Sequence, residues 1–354
     1  MREGLDPFTP PHEEFQMIVI DGSAGEGGGQ ILRTALSLSL VTGKPFRIEN
    51  IRANRSRPGL MRQHITAVEA ACAIGGTDCV ELAVGGSALS FTPGRVNAGE
   101  HRFSVGTAGS TSLVLQTVLP ALMLAGGPSR LVLEGGTHNI YAPPFDFIER
   151  VYLPIINRIG PTVGARLLRY GFAPAGGGRI EVNIAPCKTL RRLDLHDRGA
   201  LLSVQGRALV SALPGEIALR ELQSAKKVLG WPDEAMRVEQ LPERIGPGNI
   251  LMLEAVFEHG SELVSGFGKL GVPAQVVGGK AAKRMNGYLA AHAYAGPHLA
   301  DQLLLPFALA GGGSFTSVKP SLHSKSCGAV ISRFLDVEVI FEEREAGGHL
   351  VTVR

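Results

Sequence analysis

Gln30-Ile-Leu-Arg-Thr-Ala-Leu-Ser-Leu38, Gln116-Thr-Val-Leu-Pro-Ala-Leu-Met-Leu-Ala-Gly-Gly127 and Gln302-Leu-Leu-Leu-Pro-Phe-Ala-Leu-Ala-Gly-Gly-Gly313 are three versions of one segment. Each sets a glutamine before a nearly all-apolar helix. Gly29, Gly109-Ser110 and Gly296-Pro297 precede them. Pro120 and Pro306, four residues after their glutamines, imply a kink or a late helix start. The second glutamine follows the first by 86 residues and the third follows the second by 186. That spacing fits one repeated unit plus an insertion of about a hundred residues. Buried helices also converge on Leu and Ala without common descent. A second echo weighs against convergence alone: a short strand and another helix follow each segment, at Met61 to Ile74, Phe145 to Ile159 and Cys327 to Leu335.

The first two units then end in similar stretches read as strand pairs, Leu89-Ser-Phe-Thr-Pro-Gly94 and Tyr170-Gly-Phe-Ala-Pro-Ala-Gly176. Apolar runs such as Ile18 to Ile20 and Leu131 to Leu133 supply further strands. The expected fold class is α/β (α+β): three repeated βαβαββ units form a large domain, with helices packed inward from three sheets. Between about 200 and 290 the pattern changes. Val204 to Leu213 and Ile250 to Glu258 alternate like strands, while Glu216 to Leu229 and Pro273 to Ala290 read as helices. We therefore expect a small α/β domain over 199–290, inserted in the third unit of a large domain spanning 17–198 and 291–354. Asp197-Arg198-Gly199 and Ala295-Gly296-Pro297 have the character of linkers. Residues 1–16, with three prolines and four acidic residues, read as a flexible leader rather than a signal peptide.

Composition narrows the class. The chain of 354 residues is 44% apolar and 19% charged, as expected of a folded globular protein. A net charge of +3 is too small to argue for nucleic-acid binding. Cys72, Cys79, Cys187 and Cys327 show no zinc-type spacing, and a chain this long needs no disulfides, so a reducing, cytoplasmic setting is expected. No apolar run reaches the roughly 18 residues of a membrane span. No membrane partner is expected.

The stretch Asp21-Gly-Ser-Ala-Gly-Glu-Gly-Gly-Gly-Gln30 leads from a strand into a helix, where backbone amides can hold a phosphate. It is neither a Walker loop nor a dinucleotide fingerprint. Glu26 is odd there. A carboxylate repels phosphate unless a divalent metal lies between them, the alternative being a solvated turn residue. Arg52, Arg55, Arg57 and Arg62, with Gln63 beside them and Arg33 on the first helix, form an electropositive stretch suited to phosphates or simply to solvent. His323 stands in the polar run Lys319-Pro-Ser-Leu-His-Ser-Lys-Ser-Cys-Gly328, read as a loop ahead of a helix. A lone loop histidine is usually inert, yet neutral imidazole can attack phosphorus near pH 7.

Residues 20–33 resemble the opening of RNA 3'-terminal phosphate cyclases. So do Ile51-Arg-Ala-Asn-Arg-Ser-Arg-Pro-Gly-Leu60, Arg62-Gln-His64, Gly109-Ser110 with Gln116, Ala142-Pro-Pro144, Phe172-Ala-Pro-Ala-Gly-Gly-Gly178 and Leu299-Ala-Asp-Gln302. The likeness covers about residues 17–354 in order. It implies the same repeat architecture and an ATP-dependent conversion of an RNA 3'-phosphate to a 2',3'-cyclic phosphate, through an adenylyl-histidine and an RNA adenylate. By the same resemblance His323 is the nucleophile, and Glu26 binds a divalent metal, magnesium or manganese. Arg33, Arg52, Arg55 and Gln63 then hold phosphates of ATP or the RNA end, and Gln116, Pro143, Phe147, His298, Asp301 and Gln302 line the nucleoside pocket. Two departures stand out: His298 replaces a tyrosine found in some relatives, and Lys325-Ser326-Cys327 is more polar than expected. A non-catalytic RNA-binding scaffold of ribosome assembly shares the fold but lacks the histidine. An enolpyruvyl transferase uses the same repeated unit without ATP. The resemblance leaves a homodimer open.

Overall fold

The structure, a computed structural model, describes residues 16–78, 82–345 and 347–354. The expected leader, apart from Gln16, lies outside the described residues. In the first unit β1 (Ile18–Asp21) runs parallel to β2 (Phe46–Glu49), with α1 (Gly29–Thr42) between them; α2 (Arg62–Ile74) follows, and β3 (Leu89–Phe91) pairs antiparallel with β2. In β2 the buried Phe46 and Ile48 alternate with the exposed Arg47 and Glu49, as a half-buried strand requires. The second unit comprises β4 (Gly99–Ser104), α3 (Thr111–Leu122), β5 (Ser129–Gly135), α4 (Phe145–Phe147), a π-helical turn (Ile148–Tyr152), α5 (Leu153–Arg158), β6 (Thr162–Arg169) and β7 (Gly178–Ala185). Its sheet has the order β4-β5-β7-β6.

The third unit opens with β8 (Leu193–Leu195). The chain then departs through β9 (Leu201–Ser211), α6 (Gly215–Leu229), β10 (Met236–Leu241), β11 (Gly248–Phe257), β12 (Ser261–Phe267) and α7 (Ala274–Ala290). It returns to α8 (Pro297–Leu309), β13 (Gly313–Ser317), α9 (Leu322–Phe334), β14 (Val339–Glu343) and β15 (His349–Val353), and β13 pairs parallel with β8 across the excursion. The third sheet has the order β14-β15-β13-β8. Removing the excursion leaves the same order of strands and helices as in the second unit.

α1 lies at the centre, against α2, α3 and α9. Every residue of α1 from Ile31 to Leu40 is buried except Arg33, so this stretch of the helix has almost no solvent face and is mostly apolar all round. Within the excursion the sheet order is β10-β9-β11-β12. Period-two alternation splits its core in two. Ala208, Val210, Leu251 and Leu253 face α6 and α7, whereas Leu209, Ile250 and Met252 join the core of the rest of the chain. Arg198 ties the two crossing segments together. Its guanidinium donates to the carbonyls of Tyr288, Leu289 and Ala293 and lies 4.4 Å from the Phe257 ring centroid, satisfying carbonyls at the C-terminus of α7.

Three expectations change. α3 and α8 begin before Gln116 and Gln302, so the glutamines lie inside the helices and the prolines mark no late start. Pro120 has no N–H for the Gln116 carbonyl; the Ser37 hydroxyl of α1 lies 3.4 Å from that carbonyl and donates to Thr117 O at 2.7 Å. Tyr170 to Gly177 is the connection between β6 and β7 rather than a strand pair. Cys187 and Cys327 are free thiols, but Cys72 is disulfide-bonded, contrary to the reading from chain length. No helix among the described residues is long and apolar enough to cross a membrane.

Glu221 on α6 has no exposed surface, and burial raises its carboxyl to about 7, against the Asn249 amide that donates to it at 3.1 Å. Between pH 4.5 and 7 the folded chain keeps a proton that the unfolded chain releases. The associated stability is therefore complete below pH 4.5 and is lost as pH rises to 7, a difference of roughly 3 kcal/mol. Glu221→Gln is expected to narrow the gap between the Tm values at pH 5.5 and 8, measured by circular dichroism. An unchanged gap means that Glu221 does not set it.

Candidate active site

The loop from β1 to α1 turns back on itself at Gly25 and Gly27, whose φ angles of 58° and 61° suit residues without a Cβ. The arginine-rich segment after β2 lies along it. Asn54 Nδ2 donates to Ser23 O at 3.2 Å, and Arg55 Nη2 donates to Glu26 O at 3.1 Å. The Arg55 guanidinium also forms an ion pair with the Glu26 carboxylate. Arg52 turns inward, with its Nη1 donating to Arg57 O at 2.6 Å and Gly59 O at 3.0 Å. It braces the loop.

His323 is not in a loop. It is the second residue of α9, because Ser321 caps that helix by accepting from Ser324 N at 3.0 Å. Ser321 Oγ donates to Asp301 Oδ1 at 2.7 Å, and Ser324 Oγ donates to the same oxygen. Asp301, on α8, thus clamps the first turn of α9; burial raises its carboxyl to about 6 although the two hydroxyls pull it down. The first turn of α9 faces the Glu26 loop, since the Ser326 hydroxyl accepts from Glu26 N at 2.9 Å.

The His323 side chain is 46% exposed, and its Nδ1 lies 3.5 Å from Glu26 Oε2. Its pKa is lowered from the ordinary value, first by partial desolvation of the ring and then by Arg33, Arg55 and His298. The lowered pKa favours the neutral imidazole at pH 7. Arg33 is the polar break in α1. Burial lowers its guanidinium to about 10. His64 fills the space beside it: Nδ1 accepts from Met61 N at 3.0 Å, and burial, then Arg33 and Arg52, lower its pKa to about 3. It is an uncharged spacer between two cations.

Gln63 Oε1 accepts from Ser110 N at 3.4 Å, which brings the segment before α3 to the arginine loop. Gln116 and Gln302 pair through their side-chain amides, and Gln302 Nε2 reaches His298 O at 3.0 Å. Gln116, His298, Asp301 and Gln302 are therefore joined through α3 and α8. Pro143 is half-buried before α4, and Phe147 is only 2% exposed, so its ring belongs to the core behind the surface.

Glu26 Oε2 is buried and accepts no hydrogen bond. It is an acceptor left open, as a cation ligand would be. Among the described residues no group of three or more His, Cys, Asp or Glu side chains could hold a metal ion. The donor set thus suits a hard cation that takes one carboxylate and completes its shell with phosphate oxygens and water. Sequence reading gave no role to His64, Ser321, Ser324 or Ser326. The spacing Ser321-x-x-Ser324 carried a capping signal, but its carboxylate partner lies in another helix.

The family model described as RNA 3'-terminal phosphate cyclase matches residues 24–341. A protein of Koribacter versatilis named RNA 3'-terminal phosphate cyclase is 53% identical over 331 residues, covering 94% of this chain and 93% of its own. Proteins of the same name from Ectopseudomonas mendocina and Ralstonia nicotianae are 50% and 49% identical, covering 91% and 93% of this chain and 94% and 95% of their own. The match runs through the Glu26 loop, the arginine segment and the His323 helix alike, and the chain belongs to the RNA 3'-terminal phosphate cyclase family.

Proposed function

We propose that this chain uses ATP to convert an RNA 3'-terminal phosphate into a 2',3'-cyclic phosphate, with His323 as the covalent nucleophile. The observation that carries the reading is a half-exposed imidazole held 3.5 Å from a largely buried carboxylate, in a chain of this family. With Nδ1 turned to Glu26, Nε2 is the free nitrogen. The carboxylate favours a proton on Nδ1, leaving a lone pair on Nε2.

Nε2 attacks the α-phosphorus of ATP, forming a P–N bond as the bond to pyrophosphate breaks. An oxygen of the RNA 3'-phosphate then attacks that phosphorus and returns the electron pair to His323. The vicinal 2'-hydroxyl attacks the activated 3'-phosphorus, loses its proton, and expels AMP. Arg33, Arg52 and Arg55 neutralise charge on the transferred groups, and Gln63 orients an oxygen among them. Gln116, Pro143, His298, Asp301 and Gln302 bound the nucleoside, with Phe147 behind them. Glu26 would hold magnesium or manganese, which supplies charge neutralisation at the phosphates. We further assign 17–198 with 291–354 to the cyclase body and 199–290 to an inserted domain.

Incubation with α-labelled ATP and a divalent metal is expected to leave acid-labile, hydroxylamine-sensitive label on the protein. Absence of label on the wild type overturns the reading. The rate of labelling should also be nearly flat above pH 7. Its acid limb should lie below about 6.5, the ordinary histidine value, because the attacking form is deprotonated and the pKa is lowered. A limb centred above pH 7 contradicts His323 as the titrating group.

A further inference from the structure

Lys325-Ser326-Cys327, the polar departure after the nucleophile, contains the side chain that holds the backbone of the Glu26 loop to α9. Ser326 is 7% exposed, and its hydroxyl accepts from Glu26 N at 2.9 Å while donating to Leu322 O at 2.9 Å. His323 and Ser326 are three residues apart on a helix and so face the same way. One turn of α9 therefore presents an imidazole to the Glu26 side chain and a hydroxyl to the Glu26 backbone.

The other side of the contact is shaped for it. Gly25 has φ 58°, and a Cβ there would collide with Ser326 Oγ. The loop can approach the helix this closely only with glycine before Glu26. Among the described residues, no other hydrogen bond from α9 reaches the Glu26 backbone: Arg55 reaches its carbonyl from the opposite segment, and Asp301 accepts from Ser321 and Ser324.

We propose that Ser326 is a positioning residue, which sets the distance between His323 and the Glu26 carboxylate by anchoring the Glu26 amide. The proposal rests on the reading of His323 as nucleophile and Glu26 as metal ligand. Its geometric half can be measured without ATP or metal. Two near neighbours of Ser326 do not share the role. Lys325 is exposed, and Cys327 is buried against Thr34, with burial raising its thiol to about 11.

The experiment compares wild type, Ser326→Ala, Ser326→Thr and His323→Ala. Hydrogen exchange at the Glu26 amide, in the metal-free and ATP-free protein, reads the anchor directly. Protection is expected in wild type, Ser326→Thr and His323→Ala, and at least about tenfold faster exchange in Ser326→Ala, since the amide then has no acceptor. Single-turnover labelling from α-labelled ATP should fall on the order of tenfold in Ser326→Ala with KM for ATP little changed, and recover in Ser326→Thr. The proposal is overturned if the wild-type amide exchanges freely, if Ser326→Ala labels at the wild-type rate, or if Ser326→Thr restores protection but not rate. A wild type with a protected amide and no label at all defeats the reading of His323 instead. If Ser326→Ala does not fold, the threonine variant and the wild-type protection still decide the anchor.

Discussion

His323→Ala is expected to abolish covalent labelling from α-labelled ATP and to lower cyclisation on the order of 10⁴-fold or more, as removal of a covalent nucleophile does elsewhere. Stability should barely change. The ring is 46% exposed and approaches Glu26 at 3.5 Å, and such a partly solvated pair is worth about 1 kcal/mol at most. Thermal unfolding and the labelling assay together separate chemistry from folding. Label that survives in the folded variant sinks the assignment. A wild type that never labels removes the adenylyl-histidine step while leaving the family membership in place.

Glu26→Ala is expected to slow labelling on the order of a hundredfold and to raise the metal concentration needed for half-maximal rate. The reasoning starts from an open acceptor. Glu26 Oε2 is buried without a hydrogen-bond donor, although the same carboxylate is paired with Arg55. Without substrate, the pair neutralises both charges; with a metal and phosphates present, each partner can turn to a ligand of opposite sign. In the alanine variant the Arg55 side chain, 41% exposed, is left to solvent, so the loss falls on the metal and not on the fold. An unchanged metal titration removes Glu26 from the metal site.

The sequence was informative wherever one periodicity governed one segment. β9, α6, β11 and α7 lie within three residues of the expected Val204 to Leu213, Glu216 to Leu229, Ile250 to Glu258 and Pro273 to Ala290, because alternation and amphipathic spacing express burial on one face. It misled at the helix starts. Gln116 and Gln302 looked like leading residues, yet Thr111 and Pro297 begin their helices: the apolar run reports burial, whereas the start depends on Ser110 and Gly296 upstream. His323 was misplaced in a loop for a related reason. Polar residues from Lys319 to Ser326 read as irregular chain, but Ser321 caps a helix and Asp301 absorbs the hydroxyls.

Alone, the sequence determined the mixed α/β class and the strands and helices of the 200–290 stretch, and it offered residues of the kinds that handle phosphate. Local spacing carries such information, since hydrophobic period and glycine placement are set by near neighbours. Only the tertiary structure decided which of those residues meet. Glu26 and His323 lie at opposite ends of the chain and are brought to 3.5 Å because α1 and α9 pack together in the common core. The polar residue that had looked like a mere departure, Ser326, acquires its partner there. Contacts between distant segments follow from how buried helices stack, which no local pattern encodes.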